Sequence, residues 1–498
     1  MKKYITILIV ALVFCSCESE LELSSPSELT AAGFWDTENG ARAAHTGLYG
    51  DFRSSNGTFW LMGEMRSDIW GGTTFESPAN LGLIESNITV ATAPFGAWAG
   101  LYSNIHKVND FLENIQGTPF GNEIDKNQLI GQAYGLRAFY YYTLLKTWGD
   151  VPISTVPLTT VDPSNLSKAR SPQSEVMALI KADLEASLTA FGSDNSFFGG
   201  TRVYWSKAAT LALKGDVYIW SGNLMGGGAA DFTTAKTALE QISALGVSLA
   251  PSIADLWNVS NENNSEFIFA VDYKQDEASN FYNSLTGRST EINPQFTQDG
   301  SALTDFIING ANRYGPTEKT LLVLDDVEDA RRDATFIRLY TDNATYPTYD
   351  PTNYFGSIFN KYLGQVVGTE RIFENNTAIY RYADVVLMLA EVKNLLGEDP
   401  TNEINAIRAR AYGANYNVAI HGFINGTPTS NANAILEERY KEFVGEGKRW
   451  WDLRRAGDNF VINNISFLNS GDEFKLVLPI TIDMIGRNPL LVQTPGYN

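Results

Sequence analysis

Apolar residues recur along this chain mostly at spacings of three and four, the repeat of helices that bury one face. In "FWDTENGARAAHTGLYGDF", Ala41, Ala44, Leu48 and Phe52 form such a stripe behind Thr37, whose hydroxyl suits a helix start. "GAWAGLYSNIHKVNDFLENI" carries Trp98, Leu101, Ile105, Val108 and Leu112 in the same way. "NQLIGQAYGLRAFYYYTLLKTWGD" follows across a Gly/Pro turn at residues 117–121, so the two are predicted to pack as an antiparallel hairpin. Further helices are predicted over Gln173–Phe191, Tyr204–Ser221 and Thr233–Leu245, each bounded by Gly, Pro or Ser/Asn clusters. The pattern returns in "AIYRYADVVLMLAEVKNLLG", "NEINAIRARAYG" and "NANAILEERYKEFVGEGKRWWDLRRAG".

Two stretches break the pattern. Residues 60–94 are rich in Gly, Thr, Ser and Asn, and residues 251–379 mix turn-rich polar sequence with strand-like runs such as "EFIFAVDY". "KLVLPI", near the end, reads as another short strand. Pro, Gly and Asn density excludes long helices from the second stretch, and long irregular loops in a compact protein often carry function. The paired helices, roughly 34 residues per unit, resemble tetratricopeptide repeats, which stack into a curved scaffold.

The first sixteen residues have another logic. Lys2 and Lys3 precede an apolar run from Tyr4 to Phe14, too short to span a bilayer and built like an export signal. Cleavage before Cys17 leaves small Ser16 at the last signal position, as in the lipobox of bacterial lipoproteins, so Cys17 is expected to carry the lipid and Cys15 to be discarded. Several acyl chains anchor a protein stably where one does not. Glu18, Ser19, Glu20 and Glu22 resemble the acidic signal that sends some lipoproteins to the cell exterior. No later stretch reads as a stop-transfer helix.

With one modified cysteine left, stability rests on a packed core, for which 44% hydrophobic residues are ample. The net charge is −20, and −22 once Lys2 and Lys3 leave with the signal, which argues against nucleic acid as a partner. His45, His106 and His421 are isolated, and the chain carries no HExxH, GxSxG, Walker or cysteine-rich metal pattern. Neither "DTENG" nor "DDVED" completes an EF-hand loop, so neither a metal nor a cofactor is assigned. A glycoside hydrolase needs only two carboxylates, but no acid here sits in an apolar, pKa-raising run.

Six blocks, "FWDTENGARAAHTGLYGDFR", "GLRAFYYYTLLKTWGDVPI", "WSKAATLALKGDVYIWSGN", "YRYADVVLMLAEVKNLLG", "EERYKEFVGEGKRWWDLRRAG" and "NPLLVQTPGY", resemble in order and spacing those of the SusD/RagB family of outer-membrane nutrient-binding lipoproteins. Thr494 departs from the family's usual Asn. The resemblance implies a mostly α fold of four tetratricopeptide-like helix pairs plus a loop-rich insert with short strands. In domain terms it gives a signal over residues 1–16 and one domain over 17–498. The helical scaffold covers about 29–250 and 379–498, the ligand-binding insert about 251–378. It also implies a function without bond cleavage: capture of an oligosaccharide and delivery to a SusC-like TonB-dependent transporter. The alternatives are a RagB-like peptide binder and, behind it, a surface glycoside hydrolase.

Charged residues in the family blocks read as scaffold. Glu437, Glu438, Glu442 and Glu446 are interleaved with Arg439, Lys441, Lys448, Arg449, Arg454 and Arg455, and guanidinium forks suit partly buried carboxylates. Arg137, Asp384 and Glu391 are read likewise, and Trp98 and Trp148 as core. Sugar rings stack their C–H faces on aromatic side chains while their hydroxyls seek planar polar groups, so aromatics in the irregular stretches are the ligand candidates. The first stretch offers Trp60, Trp70 and Phe75 beside Glu64, Arg66 and Asp68; Gly71 and Gly72 place Trp70 on a loop, and Trp70 and Phe75 rank above the charged three. The second offers Tyr273, Phe281, Tyr282, Asn283 and Arg288, then Asn312, Arg313 and Tyr314. In the family, the ligand surface is assembled from these two regions.

Overall fold

A computed structural model describes residues 31–71, 78–91, 93, 98–158, 166–310 and 314–497. Cys17, Phe75, Asn312 and Arg313 lie outside them.

The principal helices are α1 (Glu38–Glu64), α2 (Ala99–Asn114), α3 (Glu123–Trp148), α4 (Gln173–Phe191), α5 (Lys207–Leu224), α6 (Gly228–Glu240), α7 (Tyr382–Leu395), α8 (Thr401–Tyr412), α9 (Pro428–Phe443) and α10 (Arg449–Ala456). Thr37 caps α1, its hydroxyl accepting from the Gly40 N–H at 3.1 Å. Consecutive helices pack as α1 on α2, α3 on α4, α5 on α6 and α7 on α8, four pairs, with α9 lying on α7 and α10 on α1. The fold is mostly α. The α2–α3 hairpin is antiparallel, with Trp98 before α2 against Trp148 at the end of α3, ring centroids 5.7 Å apart. Nearly all of α3 is buried, including Tyr140, Tyr141 and Tyr142, which makes it the central post of the main core.

Two boundaries differ from the pattern. Helix α1 runs on to Glu64, taking Trp60 and Glu64 out of the expected loop, because Phe52, Phe59 and Trp60 keep the stripe going past the polar "SSNG". "KLVLPI" forms no strand: Glu473–Leu476 is a 3-10 turn, after which the chain is extended and Leu478 donates its N–H to the Thr147 carbonyl at 2.7 Å.

The insert is bracketed by β1 (Phe267–Val271) and β7 (Thr377–Arg381), which pair antiparallel and bring its two ends together. Between them β2 (Phe296–Thr297), β3 (Phe336–Tyr340) and β4 (Tyr354–Phe359) form a small antiparallel sheet, and β5 (Gln365–Val367) pairs with β6 (Glu370–Ile372).

Buried ion pairs fasten the insert to α9. Arg381 donates to Glu266 and Glu442 at 2.6 Å each and to Glu446 at 2.8 Å. Arg331 reaches Glu438 at 2.6 Å and Asp329 at 2.6 Å, and Lys361 reaches Glu446 at 2.8 Å. Removing one partner from such a network strands an uncompensated buried charge, so it holds the insert in one position. The scaffold reading of the charged blocks stands: Arg137 grips Asp183 at 2.8 and 2.7 Å, Arg455 grips Glu391 at 2.6 Å, and Asp384 takes Arg439 at 2.8 Å and Lys448 at 2.6 Å.

Candidate functional site

The two irregular stretches meet. The Gly71 N–H donates to the Gly315 carbonyl at 2.9 Å, the Thr317 N–H to the Ile69 carbonyl at 2.8 Å, and Trp70 bridges to Pro316. Gly71, at φ +140°, takes the bend that most side chains avoid. A third segment joins through a bridge between Arg288 and Asn309. The stems of the two regions and the turn at 281–288 therefore share one rim.

At this rim, Phe281 is half-buried and Asn283 and Arg288 are exposed. The Phe281 ring stacks on Tyr282 with centroids 4.4 Å apart and leans on Trp60 at 5.2 Å. It also lies over Gly57 of α1, where a Cβ would stand 3.6 Å from the ring. Arg288 keeps 70% of its side chain exposed, with its guanidinium 3.8 Å from Glu291. A half-exposed ring backed by two others, beside a carboxamide and a guanidinium, can stack on a sugar face and bond its hydroxyls.

The other named residues face inward. Trp70 is a correction: only 1% exposed, it packs against Trp60, Phe336 and Phe359 and donates its indole N–H to Glu64 at 3.1 Å. The bridge to Pro316 folds its ring under the rim, leaving no face for a ligand. Arg66 lies over the Trp450 ring at 4.0 Å and donates to the Lys475 carbonyl, and burial pushes it down to about 9. Asp68 is clasped by Arg449 at 2.8 and 3.0 Å and by Lys319 at 2.6 Å, which hold its carboxyl below the usual range against the opposing effect of burial. Tyr273 accepts from Asn56 at 3.0 Å, and Tyr282 donates to the Gly445 carbonyl at 2.7 Å; both are buried. Tyr314 is buried against Trp60 at 5.9 Å. These residues support the rim from below, and Phe281, Asn283 and Arg288 are left at its surface.

Glu64 also belongs to the support. It is fully buried, and burial pushes its carboxyl up to about 8 although Trp70, Gly445 and Gly447 all donate N–H groups to it. With both oxygens occupied it has no path to a substrate. Among the described residues, no group of three His, Cys, Asp or Glu side chains is placed to hold a metal ion.

Under the rim a cavity of about 70 Å³ runs inward from Trp60 and Phe281 past Asn56 and Thr377 to Lys146 and Asp216. Its polar lining and volume suit a few ordered waters. The sequence signal that could have singled out Phe281 is its neighbour Asn283 in a Ser/Asn-rich turn. Nothing local marks Trp60 as its backing ring, because the two lie far apart along the chain.

The comparisons agree with this architecture. The model of the SusD family matches residues 244–497, and a second, described as starch-binding associating with outer membrane, matches residues 48–219. SusD-like protein P38 of Formosa agariphila is 26% identical, with 100% of both chains covered. Among solved structures, B. fragilis NanU is 34% identical, covers 96% of this chain and 100% of its own, and superposes with a TM-score of 0.86. A SusD superfamily protein from Bacteroides vulgatus is 31% identical over 93% of this chain and 100% of its own, with a TM-score of 0.81. With half of its length under the family model and its whole scaffold shared with these structures, the chain belongs to the SusD family.

Proposed function

We propose that this protein is a cell-surface glycan-binding lipoprotein, anchored to the outer membrane through Cys17, that captures oligosaccharides and delivers them to a SusC-like TonB-dependent transporter. The observation that carries the reading is the convergence of three distant segments on one rim, with Phe281 half-exposed over Trp60 and Asn283 and Arg288 beside it. The family description of starch binding and outer-membrane association supports both the ligand class and the location. No helix among the described residues is long and apolar enough to cross a membrane, in keeping with attachment by lipid. Capture without bond cleavage fits the engagement of the two acids beneath the rim, since Glu64 and Asp68 are committed to internal partners. Phe75 and Arg313, outside the described residues, are proposed as further contacts.

The test is calorimetry of the mature chain against malto-, cello-, laminari- and manno-oligosaccharides and a tryptic peptide mixture. At least one saccharide series is expected to bind, with Phe281→Ala and Asn283→Ala each weakening it tenfold or more and Cys17→Ser releasing the protein from the membrane fraction. Binding of peptides and no saccharide would replace this reading with the peptide-capturing one.

A further inference from the structure

One face of α1 carries Thr46, Gly50, Arg53, Gly57 and Trp60, spaced by three or four and so aligned along the helix. Gly57 and Trp60 lie under the rim. Thr46, Gly50 and Arg53 line a separate cleft of about 330 Å³, whose opposite wall is Tyr204 and the chain after β1 at Asp272, Lys274 and Glu277.

This cleft has its own ring and its own free polar atoms. Tyr204 is half-exposed, in T-shaped contact with Tyr49 at 4.8 Å and Phe198 at 5.0 Å and stacked at 6.0 Å on His45, which leaves one face of the ring for the cleft, and its hydroxyl makes no hydrogen bond among the described residues. Arg53 spends one nitrogen, Nη1, on Glu277 at 2.7 Å and the Asp272 carbonyl at 3.3 Å, and among the described residues its Nε and Nη2 make no hydrogen bond. Asp272 gives Oδ2 to Lys274 at 2.9 Å and keeps Oδ1, and Glu277 keeps Oε2. Both cations in the lining, Arg53 and Lys274, are already paired with its carboxylates, so the remaining polar atoms offer donors and acceptors of the kind that sugar hydroxyls bridge. Gly50 leaves the floor open, a Cβ there meeting nothing within 4 Å.

We propose that this cleft is a second sugar subsite, so that a single oligosaccharide engages α1 at two points, the Phe281 rim and the Tyr204 cleft. The inference rests on the glycan-binding reading and adds the size of the ligand. From Gly50 to Gly57 the helix advances about 10 Å at ~1.5 Å per residue, roughly two hexose rings, so a chain of about four units spans both points.

Two variants test it in the full mature chain. Gly50→Gln extends a side chain over the open floor without a backbone clash, and Tyr204→Ala removes the ring. Calorimetry with the malto-, cello-, laminari- and manno-oligosaccharides of two to seven units is expected to show, in whichever series binds, a tenfold or larger gain in affinity on reaching about four units. Both variants are expected to abolish that gain while leaving the disaccharide affinity within error of wild type, with the melting temperature slightly raised in Gly50→Gln by helix propensity and lowered in Tyr204→Ala by the lost ring packing, both chains still unfolding cooperatively above the assay temperature. Series that bind wild type with no gain in length, or variants that keep the gain, would overturn the second subsite and leave the rim intact. Loss of all saccharide binding by wild type would overturn the rim and the subsite together.

Discussion

Lys146 sits in α3 with its ammonium over the rings of Tyr142 and Trp451, at 4.2 and 4.7 Å, and among the described residues no carboxylate pairs with it. Burial pushes its amine down to about 8, against the pull of Asp216. Between pH 8 and the ordinary lysine value of 10.5 the unfolded chain therefore binds the extra proton, and stability rises with pH across that window. Lys146→Met keeps the volume and removes the buried charge, so it is expected to stabilise the protein by about 2–3 kcal/mol at pH 7 and to flatten that rise. Urea unfolding at pH 7 and pH 9.5 reads both effects; a destabilised Met variant would mean that the ammonium has a partner in the cavity. At this scale the sequence was legible for charge and opaque for exposure. Glu438, Glu442, Glu446 and Asp384 read correctly as paired acids, yet Arg331, Lys361 and Arg381, which pair with the first three, come from in or beside the insert and carry no local mark. Trp70 misled because its flanking glycines signal a bend and say nothing of where the ring points.

Helix α1 is the element on which scaffold and site meet, and its glycines show two opposite demands. At Gly63 a Cβ would stand 1.9 Å from the Gly447 carbonyl oxygen, so the helix presses on the backbone between α9 and α10. At Gly50 the space is open. Gly63→Ala is expected to destabilise by several kcal/mol, since neither backbone can yield, whereas Gly50→Ala is expected to stabilise by up to ~1 kcal/mol through helix propensity alone. Equilibrium denaturation of the two alanine variants separates the cases; equal effects would contradict the close approach. Helix positions were legible because their periodicity is local: Gln173–Phe191 was predicted to the residue. The end of α1 was not, because the polar "SSNG" masks a stripe that continues beneath the insert through Asn56, bonded to Tyr273 and to Thr377 at 2.6 Å.

Across the whole molecule, folding depends on carboxylates held ionised. Asp384 and Glu442 are held well below the ordinary carboxylate range by Lys448 and Arg439 and by Arg410, Arg381 and Arg331, against the opposing effect of burial. Their contribution is complete above the unfolded carboxylate values and is lost as pH falls through and below them. His45, buried against Gln132 at 2.9 Å, is pushed down by burial to about 4, so its share begins to go at the unfolded value of 6.5. Glu64, pushed up by burial to about 8, works the other way: the folded chain binds its proton from about pH 8 downward and gains stability where His45 loses it. The melting temperature is accordingly expected to change little between pH 6.5 and 4.5 and to fall steeply below 4, and a steep fall already complete by pH 5 would contradict the buried, neutral Glu64 carboxyl.

By itself the sequence determined the helical scaffold, the net negative charge and the family, because periodicity, composition and short motifs are properties of neighbouring residues. Tertiary structure alone decided which aromatic rings meet water. Phe281 is held at the rim by Trp60, more than 200 positions earlier, and Trp70 is turned inward by a bridge to Pro316. Exposure is set by contacts made across the chain, and no local pattern of residues encodes them.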